Sequence, residues 1–336
     1  MFSRRLDWAN LKMTAECLLR LPIAWRDFLR LYWSFRPDVV YLANHHEVVL
    51  LLPLLIWVRR KVVCHMHDPP PAIAFQKFSA WFWRKSVRRF VFISQDAQER
   101  MAALVPLTAA DTVIYNGVDI APLAAPRRRA NNFALRFNWP ADAVIFGICG
   151  QIAAHKGHDD LIEAFAIAHQ RSQNVRLVIG GRGNDEDVAR LQRLIAERRL
   201  GDVVQFCGWA PQAGDFYNAI DVLVLASRHD EGFGLVVAEG GERGLPAIVT
   251  RSGGVVEVVE EGVTALVTRK QAPDELATAI LTLAADEARR IDLGRRARER
   301  VAARFDLTKQ AARFADCLEE VARQPAHAAM PMSAGE

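Results

Sequence analysis

Glu231 and Glu239 stand eight residues apart, with Gly232-Phe233-Gly234-Leu235 directly after the first. Eight residues is close to two helical turns, so both carboxylates can lie near one face of a helix and its entry loop. A carboxylate accepts hydrogen bonds from hydroxyls, which suits a sugar or a ribose. Lys156 lies in Gly150-Gln151-Ile152-Ala153-Ala154-His155-Lys156-Gly157, between a strand and a helix. A lysine at a helix start opposes the helix dipole, so it calls for an anion or for solvent. Gly232-Phe233-Gly234 and Gly253-Gly254 each close a strand-to-helix turn, aiming the N–H groups of Phe233, Gly234 and Gly254 outward. A helix N-terminus behind glycine is an anion site, and two side by side suit a diphosphate and the group attached to it.

The elements that must position these residues read as alternating strands and helices. In the second half, strands are expected at 144–149, 175–180, 203–206, 222–225, 247–250 and 265–267. Helices are expected at 158–170 and 185–199, with another opened by Gly232-Phe233-Gly234 and running to about Gly244. Gly181-Arg182-Gly183 reads as a loop able to hold a nucleotide base by backbone contacts. The first half opens on helical spacing over 6–35, which Pro22 should kink or split. Strands follow at 39–43, 62–67, 90–94 and 113–115, with helices at 48–58, at 75–89 and from Gln95. Such alternation predicts parallel sheets with crossovers. A Pro- and Arg-rich linker is expected at 123–140 and a disordered tail at 324–336.

The run from Glu231 to Glu239, followed by Gly253, Gly254 and Glu257, resembles the retaining glycosyltransferases of family 4. Arg36-Pro37-Asp38-Val39-Val40, His67-Asp68 and Tyr115-Asn116-Gly117-Val118-Asp119 are similar to first-half features of the same family. The resemblance implies an α/β chain of GT-B fold, with two Rossmann-like domains whose parallel sheets face a cleft. It implies an acceptor-side domain at 1–122, a donor domain at 141–306 and a helix at 307–323 returning to the first domain. The implied activity moves a sugar from a nucleotide-diphosphate sugar to a hydroxyl acceptor, with retention at the anomeric carbon and neither metal nor cofactor. Glu231 would meet the donor-sugar hydroxyls and Lys156 the diphosphate, with His67 near the donor sugar. Gly150, Gln151, Gly181, Arg182, Gly183, Gly232, Phe233, Gly234, Leu235, Glu239, Gly253 and Gly254 would surround the donor, Glu239 on its ribose. The chain departs from the family at two places. Gln151 stands where the family has an arginine, and the chain opens on a helix where the family opens on a strand and a glycine loop. A shortened first domain is therefore expected.

The 336 residues suffice for two domains, and 51% hydrophobic residues can fill two cores. A net charge of +4 is mildly basic, and no nucleic-acid partner is expected. Five cysteines without paired or metal-ligand spacing favour a reducing, cytoplasmic setting. The apolar run 48–58 is too short to span a bilayer and contains Pro53. Asp185-Glu186-Asp187 mimics an Asp-x-Asp metal motif, but it opens a helix, where carboxylates are favoured anyway. Asn44-His45-His46-Glu47 lacks the His-Glu-x-x-His spacing and reads as a loop at a strand end. Trp81-Phe82-Trp83-Arg84-Lys85-Ser86-Val87-Arg88-Arg89 interleaves aromatics with cations. That pattern suits a peripheral membrane contact and a lipid-linked acceptor, or an ordinary helix packing its aromatics on a sheet. Two rival functions stand beside the transferase. One is a degenerate, non-catalytic relative that binds a nucleotide or a partner subunit; the other is a nucleotide-sugar epimerase, which would need acidic catalysts in the first half.

Overall fold

The computed structural model describes residues 8–67, 76–120, 132–208 and 213–323. The expected tail at 324–336 and residues 123–131 of the expected linker lie outside them. The chain forms two compact units: Met1–Ile93, Ala97–Ile114 and Ala312–Glu336 in one, Ser94–Asp96 and Tyr115–Ala311 in the other.

The first half of the chain runs α1 (Trp8–Phe35), β1 (Val40–Leu42), α2 (His45–Val58), β2 (Val62–Met66), α3 (Gln76–Ser86), β3 (Arg89–Phe92), α4 (Gln95–Ala102) and β4 (Thr112–Val113). The second half runs α5 (Asn132–Arg136), β5 (Val144–Ile152), α6 (His158–Arg171), β6 (Val175–Gly183), α7 (Asp185–Glu197), β7 (Val204–Gly208), α8 (Ala213–Asn218) and β8 (Val222–Leu225). It continues with α9 (Leu235–Glu242), β9 (Ala247–Thr250), α10 (Val255–Val258), β10 (Ala265–Thr268), α11 (Pro273–Ala285), α12 (Glu287–Arg304) and α13 (Leu307–Arg323).

In the first unit the sheet order is β1-β2-β3-β4, all parallel, with Val40 beside Val62 and Val63 beside Arg89. Alternate residues take opposite faces. Cys64, Met66, Phe90 and Phe92 pack with Leu55, Trp83 and Met101 on one face. Val63 and Val91 pack with Ile114 on the other, covered by Cys317 and Val321 of α13.

Two expectations change here, and an open choice narrows. Pro22 lies inside α1, which is one continuous helix. Proline removes one hydrogen bond and bends a helix locally, and at an exposed position that need not end it. Glu47 belongs to the first turn of α2, not to a loop, and its Oε2 accepts the Ala43 N–H at 2.6 Å. Of the two readings of the basic aromatic stretch, the helix packed on the sheet is the one seen for Trp83, Ser86, Val87 and Arg89, which are buried, while Trp81 and Lys85 are exposed. Arg84 pairs with the buried Asp111 at 2.7 Å, and Arg89 with Glu320 at 2.8 Å.

In the second unit the sheet order is β10-β9-β8-β5-β6-β7, again parallel. The chain builds outward from β5 to β7, then returns past β5 to lay down β8, β9 and β10. The winding therefore reverses between β5 and β8, the place where open α/β sheets bind ligands beyond their strands' carboxyl ends. Strand β8 and strand β9 are buried throughout. A central strand covered on both faces reads as a continuous apolar run, which is why both were legible.

The expected linker is shorter than 123–140. Residues 132–136 form α5, Phe133 and Trp139 are buried, and Trp139 Nε1 donates to the Asp202 carbonyl at 2.7 Å. Gly181-Arg182-Gly183 is not a loop. It continues β6, paired in register with Gly150-Gln151-Ile152 of β5. Gly181 has φ 134°, and a Cβ there would overlap the Gly150 carbonyl oxygen. The glycines let the two strands stay in contact past the point where side chains would part them.

Candidate donor site at the switch point

A cavity of about 280 Å³ lies where the winding reverses. Its wall is formed by the end of β5 (Cys149, Gly150, Gln151), the end of β8 with Ser227, the start of α9 (Gly234, Leu235, Val236), and Lys156, His158 and Glu231.

Each part has a local cause. After β5 the chain makes a single 3₁₀ turn, Ala154–Lys156, closed by Gly157 at φ 71°. A Cβ on Gly157 would overlap the Ala226 carbonyl oxygen, so glycine lets this turn lie against the end of β8. Arg228 braces the turn: its N–H donates to the His155 carbonyl at 2.9 Å, and its guanidinium grips both oxygens of Asp160 at 2.7 Å. Lys156 is thus held at the cavity, with Nζ 2.7 Å from Glu231 Oε1. The hydroxyl of the buried Ser227 donates to the same oxygen.

The loop that carries Glu231 is pinned from behind. Its carbonyl accepts the Gly254 N–H at 2.9 Å, and Glu231 bridges to Gly253. Side chains at 253 or 254 would overlap the carbonyls of Glu231 or Gly232. This revises the expectation of a second anion-binding turn. The Gly254 N–H is already used, α10 is only four residues long, and Gly253-Gly254 serve as the brace. Glu257 is likewise occupied: its carboxylate accepts the N–H groups of Gln95 and Asp96, each at 2.8 Å. Phe233 contributes backbone only, since its ring is buried against Tyr115 and Phe305. Gly234, at φ 92°, opens α9. The N–H groups of the first helical turn have no acceptor within the helix, so those of Leu235 and Val236 are the donors at this wall.

The two glutamates do not share one cavity. Glu239 lines a neighbouring one of about 270 Å³, with Asp119, Tyr217, Glu242 and Arg243, and Leu235 lies on the wall of both. Tyr217 donates to Glu239 Oε2 at 2.6 Å, and the Cys149 thiol lies 3.6 Å from the Tyr217 hydroxyl. Burial, with Cys149 and Glu239 adding to it, pushes the Tyr217 hydroxyl above its ordinary range. Burial likewise raises the Cys149 thiol to about 11. Both therefore stay protonated at neutral pH and relay a hydrogen bond toward Glu239.

Positive charge at the first cavity comes from few groups. Burial lowers His158 to about 4, so it is neutral. His155, stacked on His229 at 5.6 Å, is also lowered, by burial and then by Lys156. Among the described residues, Lys156 is the one permanent cation lining this cavity. Gln151 is exposed at the rim, and its register partner on β6 is Arg182. Paired residues of parallel strands share a face, so Arg182 starts from the same side as Gln151.

His67 lies in the first unit, just past β2, its ring 4.2 Å from that of His65. Asp187 is engaged by Arg190 at 3.0 Å and by the Asn184 cap. Among the described residues no group of three or more His, Cys, Asp or Glu could hold a metal. Ser227, Tyr217, Cys149 and His158 were not found from the sequence. Cys149 and Ser227 sit inside or at the end of an apolar run, where the pattern signals core, and His158 and Tyr217 carry no local motif.

A family model described as glycosyl transferases group 1 matches residues 132–300, and one described as glycosyltransferase family 4 matches 10–122. The D-inositol 3-phosphate glycosyltransferase of Thermobispora bispora is 33% identical over 237 residues, 66% of this chain and 53% of that protein. The lipopolysaccharide core biosynthesis glycosyltransferase LpsE of Rhizobium meliloti is 31% identical over 170 residues, 51% of this chain and 48% of that one. The chain spans about half the length of the curated relatives it matches. Among solved structures, Anabaena HepE in complex with UDP and glucose superposes with TM-score 0.75 at 24% identity, over 86% of this chain and 79% of that one. A glycosyltransferase from Rickettsia africae gives 0.76 at 18% identity, over 97% and 85%. These likenesses carry the fold: two Rossmann-like α/β units of the GT-B class.

Proposed function

Because the chain belongs to the glycosyl transferases of group 1, we propose that it moves a sugar from a nucleotide-diphosphate sugar to a hydroxyl acceptor. The reading includes retention at the anomeric carbon and needs no metal. The observation that carries it is the switch-point cavity, where Lys156, Glu231 and the open N–H groups of α9 converge.

In this reaction the bond between the anomeric carbon and the diphosphate oxygen breaks, and its electron pair leaves with the diphosphate. The acceptor oxygen bonds to the same face of that carbon, and its proton passes to the departing phosphate. Charge therefore develops on the diphosphate, and preorganised donors aimed there lower the barrier. Lys156 and the N–H groups of Leu235 and Val236 fill that role. Glu231 turns from Lys156 to the sugar hydroxyls, and Glu239, held by Tyr217, takes the ribose. His67 is kept as a candidate catalytic residue, tested by His67→Ala. HepE has been solved with UDP and with UDP-glucose, which makes uridine diphosphate sugars the first donors to try.

The test is donor turnover by the purified chain. Release of nucleoside diphosphate from a sugar donor should persist in EDTA, and the anomeric coupling of the product should match the donor. Loss in EDTA with recovery in Mg²⁺ or Mn²⁺ would overturn metal independence, and an inverted product would overturn retention. The non-catalytic reading is favoured by one observation, the uncharged Gln151 at the rim. Gln151→Arg adds a planar fork beside Lys156. A charge-assisted bond of roughly 1.5–3 kcal/mol should tighten nucleoside diphosphate binding by about one to two decades, with steeper salt dependence. Calorimetry at two ionic strengths reads it. No change would mean that residue 151 does not meet the phosphates. Tighter binding without turnover of any donor would favour the non-catalytic reading.

A further inference from the structure

We propose that the edge of the first unit where its strands begin is a docking surface for an anionic lipid bilayer. The parallel register brings it together. Val40 pairs with Val62, and Val63 with Arg89, so β1, β2 and β3 start side by side. The C-terminal ends of α1, α2 and α3, which feed those strands, therefore meet at one edge. Lys61 Nζ donates to the Pro37 carbonyl at 2.7 Å, and the Arg88 N–H to the Val62 carbonyl at 2.9 Å, stitching the three turns.

Large apolar side chains at this edge are uncovered. Trp57 is 81% exposed, Phe35 81% and Trp33 69%, with Leu31 and Ile56 beside them in sequence. Farther along α1, Leu19 and Ile23 are exposed too. Cations interleave with them: Arg30, Arg36, Arg59 and Lys85 are exposed, and Arg60 and Arg88 are close enough to influence each other's charge. The acids exposed here are Asp27, paired with Arg26, Glu320, paired with Arg89, and Asp38. Asp111 is buried and held by Arg84.

The chemistry selects the occupant. Tryptophan prefers the headgroup level of a bilayer, aliphatic groups enter the acyl boundary, and arginine meets anionic headgroups. A second copy of this chain would set like charge against like across a two-fold interface. A nucleic acid would use the cations and the stacking rings but would leave Leu19, Ile23 and Leu31 without a role. No helix among the described residues is long and apolar enough to cross a membrane, so the contact is with the surface. The proposal rests on the first unit alone and does not depend on the transfer reaction.

Co-sedimentation with vesicles tests it. The chain should bind vesicles of phosphatidylcholine with phosphatidylglycerol and leave pure phosphatidylcholine largely unbound. Each neutralised cation, as in Arg36→Ala or Arg59→Ala, should weaken binding about fivefold. Trp57→Ala should weaken it with no change in salt dependence, and Trp57→Phe should reduce fluorescence quenching by brominated acyl chains. These side chains are exposed, so unchanged circular dichroism and melting temperature should confirm folding. Equal binding to both vesicle types, or none at low salt, would overturn the proposal. So would tighter binding to single-stranded oligonucleotides, or self-association abolished by Trp57→Ala.

Discussion

Lys156→Ala should lower turnover by about two to three decades and also weaken nucleoside diphosphate binding, while Glu231→Ala should lower turnover and leave that binding intact or tighter. The magnitude is that of removing one preorganised donor from a developing oxyanion. The split follows from the 2.7 Å pair these two side chains form. Glu231 is paired with the cation that a diphosphate needs. Deleting the carboxylate removes that competitor together with the acceptor for the sugar hydroxyls. Deleting the lysine removes the permanent cation of the cavity, and His158, lowered to about 4, cannot replace it. Both side chains lie on turns rather than in the core, so the fold should survive. Steady-state rates with product-binding calorimetry read both quantities. Equal loss of diphosphate binding in the two variants would mean that Lys156 and Glu231 act on the same part of the donor, against the assignment made here.

Asp111→Ala should destabilise the first unit by about 3–5 kcal/mol, the usual cost of removing one member of a buried ion pair. The Asp111 carboxylate accepts from Arg84 at 2.7 Å, from the Phe90 N–H at 2.8 Å and from the Thr108 N–H at 2.7 Å. All of these donors are left behind by alanine. Arg84 keeps the carbonyls of Val87 and Arg88 and its contact with the Phe90 ring. A two-unit chain need not unfold in one step, so hydrogen exchange of the β3 amides is a better readout than a single melting point. Protection reduced by less than about 1 kcal/mol would place the pair among weak surface bridges instead.

The contrast between these two regions explains what could be read from the sequence. Glu231, Lys156 and the glycines around them announce themselves locally, because a turn that must bend sharply after a buried strand leaves glycine in the sequence. The strands were legible for the same local reason, as apolar runs. What could not be read depends on distant partners. Arg84 meets Asp111 27 residues later, and Arg89 meets Glu320 231 residues later, so two of the four cations in a stretch that looks like a free basic surface are held by acids of the same unit. Gly181-Arg182-Gly183 has the composition of a loop and becomes strand only because Gly150-Gln151-Ile152 lies beside it. Gly253-Gly254 looks like an anion turn and is a brace, because the carbonyl it serves belongs to Glu231. Glu231 and Glu239 line two cavities with Leu235 on the wall of both, an arrangement that helical spacing alone does not place.

The last helix carries a consequence for how the chain comes into being. The face of the first sheet formed by Val63, Val91 and Ile114 is closed by Cys317 and Val321, and Arg89 finds its carboxylate on Glu320. During synthesis those strands emerge some two hundred residues before their cover does. The nascent first unit must wait with an apolar sheet face and an unpaired guanidinium exposed, while the second unit, whose own core is complete before α13, can close first. The order in which this protein matures is therefore the reverse of the order in which it is written: its beginning is finished by its end.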